Sequence, residues 1–269
     1  MPVITISRGV CSGGESLAER VAERLGARCM GREELTQRAA VSGVPENELL
    51  DALLKSPGLL DRLLPKRRQY VALIRAALAE EAVDGNLVYH GNAGHLLLQG
   101  AGPILRVRVV APIEMRLAIA QERLHLTAEE SAAFIARSDA ERRDWTRFLY
   151  GVEWGDPSLY DLVLNCNHTD LDDACEAIIS AARLEFFAWT PERRARMKDF
   201  ALASRVRAAL ALDRGTARLD LEVSCCSAIV SVRGFVGSRR GRREVERVAG
   251  AVPGIRQLNL DELVVYRYV

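Results

Sequence analysis

The chain has no Cys-x-x-Cys pair, no long apolar run and almost no net charge. Its six cysteines (Cys11, Cys29, Cys166, Cys175, Cys225 and Cys226) have spacings that argue against a zinc site or a disulfide framework and suit a reducing compartment. Cys225 and Cys226 would point to opposite faces of a strand, as packing residues or as a redox pair. No segment approaches the roughly 18 apolar residues that a transmembrane helix needs. Met1 is followed at once by a core-like strand, which leaves no room for a secretion signal, so the expected location is the cytoplasm. A net charge of +1 gives no global attraction to nucleic acid or to an anionic membrane. No nucleic-acid partner is expected, and any basic function must be local.

What is present is an ordinary globular composition, 49% hydrophobic and 27% charged over 269 residues. That length accommodates one large α/β domain and a smaller one.

The first sixteen residues organise the rest. Val3-Ile4-Thr5-Ile6 is a β-branched run that reads as a buried strand. Leu17 to Leu25 has strong helical periodicity, with Gly26 placed as its C-cap. Between them, Ser7-Arg8-Gly9-Val10-Cys11-Ser12-Gly13-Gly14-Glu15-Ser16 fits the spacing G-x-x-x-x-G-K-[ST] at every position but one. Gly9 and Gly14 stand at the two glycines, and Ser16 falls on the hydroxyl expected to hold magnesium. Glu15 occupies the lysine position, a charge reversal where phosphates are expected, and Arg8 is the nearest cation that could substitute. A strand, a glycine loop and a helix N-terminus make an anion cradle. The bland alternative is a glycine turn that merely joins strand to helix.

Ile4-Thr5-Ile6-Ser7-Arg8, then Ser12-Gly13-Gly14 and an Ala- and Leu-rich helix, resembles the opening of the cytidylate kinase-like family, which is similar to the P-loop nucleoside monophosphate kinases. Glu15 departs from that family too, whose members often have arginine there. The resemblance implies a three-layer α/β fold, a parallel sheet with helices on both faces. It also implies ATP and magnesium as ligands, and phosphoryl transfer to CMP, dCMP or a related acceptor. By resemblance, Gly9, Ser12, Gly13, Gly14 and Ser16 would cradle phosphate, with Ser16 also at the metal, and Arg8 would stabilise the transferred charge.

The chain continues in the same manner. Ala27 to Met30 leads by an extended segment into a helix start at Gly31-Arg32-Glu33-Glu34-Leu35. The resemblance puts Arg32 on the acceptor side, and a solvated helix-start arginine is the alternative. Residues 45–84 read as mostly helical, broken at Pro57-Gly58 and Pro65, with a core stripe of Tyr70, Leu73, Ile74, Ala77 and Leu78. Asn86 to Gly91 reads as a strand. Asn92 follows where the family's acceptor-binding arginine is expected, which implies weaker phosphate binding there. His90 and His95 nearby are expected to be structural. Ile104 to Ala111 is a further strand, and Glu114 to Leu124 a helix. Thr127-Ala128-Glu129-Glu130 is a capping box opening a helix that reaches about Arg147. Asp139 and Arg142 on it, with Arg143 beside them, resemble the family's lid; a mixed-charge surface helix is the alternative reading.

The most specific match is Trp154-Gly155-Asp156-Pro157 followed by Tyr160-Asp161-Leu162, similar to the family's Trp-x-Asp-Pro and Tyr-Asp-Leu before the last strand. Asp156 would orient a lid arginine or the nucleotide, or else fix its own loop. Leu171 to Phe187 reads as the closing helix.

After residue 188 the pattern changes. Residues 189–198 read as a basic helical linker, and residues 199–269 as helix, strand, strand, helix, strand. Val232-Arg233-Gly234-Phe235-Val236 and Val252-Pro253-Gly254-Ile255 resemble a BON domain, a small α/β module associated with lipid or other ligand binding. Arg239, Arg240, Arg242 and Arg243 form a basic patch suited to an anionic ligand or a protein partner, or simply a solvated face. The expected organisation is a kinase-like domain over residues 1–188, the linker, and a BON-like domain. The expected function is ATP-dependent phosphoryl transfer to a nucleoside monophosphate. The alternatives are a weakly active or inactive nucleotide-binding regulator whose second domain meets a partner or lipid, and a binding protein with a vestigial loop.

Overall fold

The computed structural model describes residues 1–55, 66–167 and 169–266. The expected breaks at Pro57-Gly58 and Pro65 lie outside the described residues. The first part of the chain forms a five-stranded parallel sheet from β1 (Val3–Arg8), β2 (Arg28–Gly31), β3 (Leu87–His90), β4 (Leu105–Val110) and β5 (Leu162–Asn165), in the order β2-β3-β1-β4-β5. Alternation along the strands sends side chains to two separate cores. Ile4, Ile6, Val88, Leu105, Val107 and Val109 pack against α1 (Gly14–Leu25) and α8 (Leu171–Ala182). Val3, Met30, Leu87 and Tyr89 pack on the opposite face. That face is covered by α2 (Arg32–Ala40), α3 (Glu46–Leu54), α4 (Lys66–Glu81) and the short α5 (Gly94–Leu97). The result is the expected three-layer arrangement.

Local chemistry explains the element ends. In α1, Leu17, Ala18, Val21 and Ala22 make one buried stripe, and Gly26, left-handed at φ 60°, ends the helix. Two further helices, α6 (Ile113–Leu124) and α7 (Ala128–Tyr150), pack against each other. The capping box at the start of α7 is complete: Thr127 Oγ1 accepts from the Glu130 amide, and the Glu130 carboxylate accepts from the Thr127 amide. Trp145 of α7 is fully buried on the α3 side and donates its indole N–H to the Ala52 carbonyl at 2.6 Å.

Two expectations are corrected here. The closing helix stops at Ala182, and a separate 3₁₀ turn follows at Glu185–Phe187. The break lets Phe187 fold into the core beneath α1 and α8 while Phe186 stays exposed. The last strand is also two pieces. β8 (Gln257–Asn259) and β9 (Leu263–Val265) both run parallel to β7 (Ile229–Val236), separated by a turn in which the Asn259 side chain accepts the Asp261 amide at 2.7 Å.

The basic stretch beginning at Pro191 starts α9 (Pro191–Leu212), which runs unbroken into the second unit. Met197, Ala201 and Ala208 of α9 pack into the core of the first sheet. Leu202, Val206 and Leu210 pack with β6 (Leu221–Cys226), β7 (Ile229–Val236) and α10 (Arg239–Gly250). One helix therefore belongs to both cores. β6 and β7 are antiparallel, so the second sheet is mixed. Among the described residues no helix is long and apolar enough to cross a membrane.

Removing the Trp145 ring leaves a large void between α7 and α3 and takes one of two donors from the Ala52 carbonyl, which Arg67 still meets at 3.0 Å. Trp145→Ala is expected to lower stability by about 3–5 kcal/mol, read by equilibrium denaturation. A loss under about 1 kcal/mol would mean that this contact does not anchor α7 to α3.

Candidate active site

β1 ends at Arg8 and α1 begins at Gly14, so the glycine loop sits at the carboxyl edge of the sheet with β3 on one side and β4 on the other. The strand order reverses there, which is where a parallel sheet opens a crevice for ligand. Gly13 precedes α1 with φ 75°, a left-handed conformation that a side chain would strain. Among the described residues no side chain caps α1, so its first-turn N–H groups and the positive end of its dipole remain for an anion. Ser12 is buried and donates to the Gly9 carbonyl at 2.9 Å, which braces the loop from within. Ser16 is half-buried in the first turn of α1.

Arginines surround this loop. Arg142, buried on α7, donates to the carbonyl oxygen of Arg8. Its pKa is pushed down to about 10, first by burial and then by Arg8, Arg32 and Arg116, with Asp139 opposing. Among the described residues no carboxylate lies within ion-pair distance of it. Arg116 of α6 donates from Nε to the Val10 carbonyl at 2.9 Å and holds Asp139 bidentately at 2.8 and 2.9 Å. Gly9 lets this guanidinium in, since a Cβ there would lie 3.2 Å from its central carbon. Arg8 lies 3.5 Å from the Glu15 carboxylate. Burial lowers the Arg8 pKa, with Glu15 opposing, and its buried Nε has no hydrogen-bond partner among the described residues. An uncapped helix end, an orphaned guanidinium nitrogen and a buried cation without its own carboxylate form a donor set that fits phosphate.

A second layer supports the loop. The Trp154 indole N–H donates to Ser7 Oγ at 3.0 Å, and the Tyr160 hydroxyl donates to the Trp154 carbonyl at 2.9 Å. The Arg108 guanidinium lies 4.5 Å from the Trp154 ring centre, and that of Arg142 lies 5.5 Å from the same ring. Trp154 of the Trp-x-Asp-Pro segment, held by Tyr160, thus packs directly behind the arginine that meets the loop.

Not every residue singled out from the sequence comes to this place. Arg143 is exposed on α7. Asp156 is exposed and accepts the Ser158 amide at 2.8 Å, so it caps the turn Pro157–Leu159. Arg32 lies within electrostatic reach of Arg142 but is paired to Glu33 at 2.7 Å. Asn92 is buried and donates its amide to the Leu53 carbonyl at 3.2 Å. In the second unit, Arg239, Arg240 and Arg243 are exposed at the start of α10, whereas Arg242 donates to the Leu263 carbonyl. All six cysteines are free.

Arg116 is the residue that sequence reasoning missed. The available signal was weak: Arg116 and Arg123 are seven apart on a helix, hence on one face. Both act on Cys11 of the loop, where burial raises the thiol pKa and the arginines oppose it.

Comparison with known proteins agrees with this geometry. Residues 3–168 match the model of the cytidylate kinase-like family, and residues 198–265 match that of the BON domain. The cytidylate kinase of Pyrococcus horikoshii is 26% identical over 180 residues, covering 67% of this chain and 87% of that protein. That of Ignicoccus hospitalis is 30% identical over 173 residues, covering 61% and 90%. Among solved structures, an uncharacterized protein from Eubacterium ventriosum superimposes with a TM-score of 0.55 at 18% identity, over 67% of this chain and 97% of that one.

His95 on α5 tests the packing behind this site. It is buried, its ring centre is 4.7 Å from that of Tyr160, and both ring nitrogens lack partners among the described residues. Burial, then Arg106 and Arg108, push its pKa down to about 3. The folded state keeps the imidazole neutral while the unfolded chain takes up a proton below about pH 6.5. Its contribution is therefore full above that pH and is lost as pH falls towards the folded value, at up to about 1.4 kcal/mol per unit. His95→Leu is expected to flatten the stability–pH slope between about pH 6 and 4 by about one proton. Equal slopes by denaturant titration would count against it.

Proposed function

The chain belongs to the cytidylate kinase-like family through residues 3–168, and from that premise we propose that it binds ATP at the Gly9–Ser16 loop and transfers the γ-phosphoryl group to CMP or dCMP. The observation that carries this reading is Arg142, buried against the loop beside an uncapped helix N-terminus and without its own carboxylate. A buried cation of this kind is costly unless an anion completes it. The backbone of Gly9, Gly13 and Gly14 cradles phosphate, Arg8 and Arg142 balance the charge of the moving group, and Asp139 positions Arg116. The Ser16 hydroxyl would hold magnesium, which would supply further charge neutralisation. Arg143, exposed on the same helix as Arg142, would meet the nucleotide from the rim. On the acceptor side Arg32 carries the contact, because the Asn92 amide is already committed to Leu53.

One observation supports a second reading. Glu15 stands where the usual lysine would, and its carboxylate holds Arg8 at 3.5 Å. A phosphate must displace that pair. A protein so built binds nucleotide weakly or turns it over slowly and acts as a regulator, with the BON domain passing its state to an anionic ligand or protein partner.

Calorimetry with magnesium and ATP, followed by CMP and an assay for ADP, separates these readings. Wild-type binding with ADP formation that Arg142→Ala abolishes supports the kinase. Glu15→Lys is expected to tighten ATP binding about tenfold or more, since it replaces repulsion with a charge-assisted contact. Binding without ADP in both wild type and Glu15→Lys supports the regulator. No nucleotide binding by either protein overturns both.

A further inference from the structure

Away from the glycine loop, a cavity of about 420 Å³ lies between the two units, walled by α4, the end of α7, α9 and β6. Its walls are apolar at Val71, Leu149, Leu221 and Val223 and aromatic at Phe200 and Tyr150. The size and lining are those of a small-molecule site.

Its polar groups are unusual for a gap left by imperfect packing. Arg68, Arg75 and Arg207 all line it. Arg75 stacks on Phe200 at 4.8 Å and donates one nitrogen to the Gln99 carbonyl at 3.2 Å. Its Nε is buried with no partner among the described residues. The Arg207 side chain, which lines the cleft, makes no hydrogen bond or ion pair with any described residue. Burial lowers its pKa, and Arg68 and Arg75 repel it while Asp220 and Glu222 oppose them. Glu222 is already paired to Arg233 on β7. Tyr150, at the end of α7, lies within electrostatic reach of Arg75. Half-buried Arg75 and Arg207 and exposed Arg68 line one cleft, and the one acid among its lining residues, Glu222, is paired elsewhere.

From this arrangement we infer that the interdomain cleft is a second binding site, for a small organic anion. The arginines take a phosphate or carboxylate head, and the Phe200, Tyr150 and Leu221 wall takes its apolar body. Nucleoside phosphates and acyl anions share that chemistry. The site is separate from the glycine loop, and it stands whether or not the loop transfers phosphate. An occupant would touch both units, as well as the end of the helix that carries Arg142 to the loop.

The test uses the full chain and anilinonaphthalene sulfonate, a fluorescent apolar anion. Saturable one-to-one binding is expected. Arg207→Gln should weaken it about tenfold, as loss of a charge-assisted contact does. Ala203→Phe, which fills the cleft from α9 without altering charge, should abolish it. Retained folding of each variant is checked by circular dichroism, and having two independent variants keeps the result readable if one misfolds. Competition then identifies the occupant. Displacement by CMP that disappears in Arg207→Gln points to a nucleotide, and displacement by octanoate points to an acyl anion. Binding indifferent to both substitutions, or displaced by neither competitor, would overturn the proposal.

Discussion

The structure around the loop depends on one buried charge. Arg142 reaches from α7 to the carbonyl of Arg8, and in doing so it ties that helix to the end of β1. A guanidinium in that position cannot be left unsupported. The Trp154 ring lies against it, the Ser7 hydroxyl accepts the Trp154 indole N–H, and Asp139 on the same helix engages Arg116. Arg116 in turn holds the Val10 carbonyl. The loop is thus gripped through its carbonyl oxygens, which leaves its amide groups for an incoming anion. Local donors and acceptors divide the loop into a braced side and a binding side.

A second constraint comes from α9. Its residues alternate between two cores, with Met197, Ala201 and Ala208 on one and Leu202, Val206 and Leu210 on the other. A helix buried on two faces cannot rotate without exposing one of them. The two units therefore meet along a shared element rather than a free linker, and the arginine-lined cleft beside Phe200 follows from that junction. Charge is concentrated at both places, the loop and the cleft, although the chain as a whole is nearly neutral.

Much of this was legible from residue order. The β-branched run before the glycines, the Thr127 capping box and the stripe of α1 are local signals, and local signals survive folding. Trp154 and Tyr160 were conspicuous by rarity, and both lie behind the loop. The break before Phe187 was not legible, because helical periodicity continues through it and only the core beneath α1 calls for the turn. Arg116 was hidden for a similar reason. Its spacing marks a helix face, but nothing in the sequence says that this face meets Val10.

By itself the sequence determined the strand–loop–helix cradle, the family it resembles and the presence of a second small α/β module, because each rests on residues close together in the chain. It also determined the reversal of charge at Glu15. Only the tertiary structure decided which partner each polar group takes. Asn92 turned to Leu53, Asp156 to its own turn, Asp139 to Arg116, and Arg207 was left facing a cleft. Those pairings depend on elements far apart in sequence, and hydrogen bonds and ion pairs form with whatever the packed fold brings within about 3 Å.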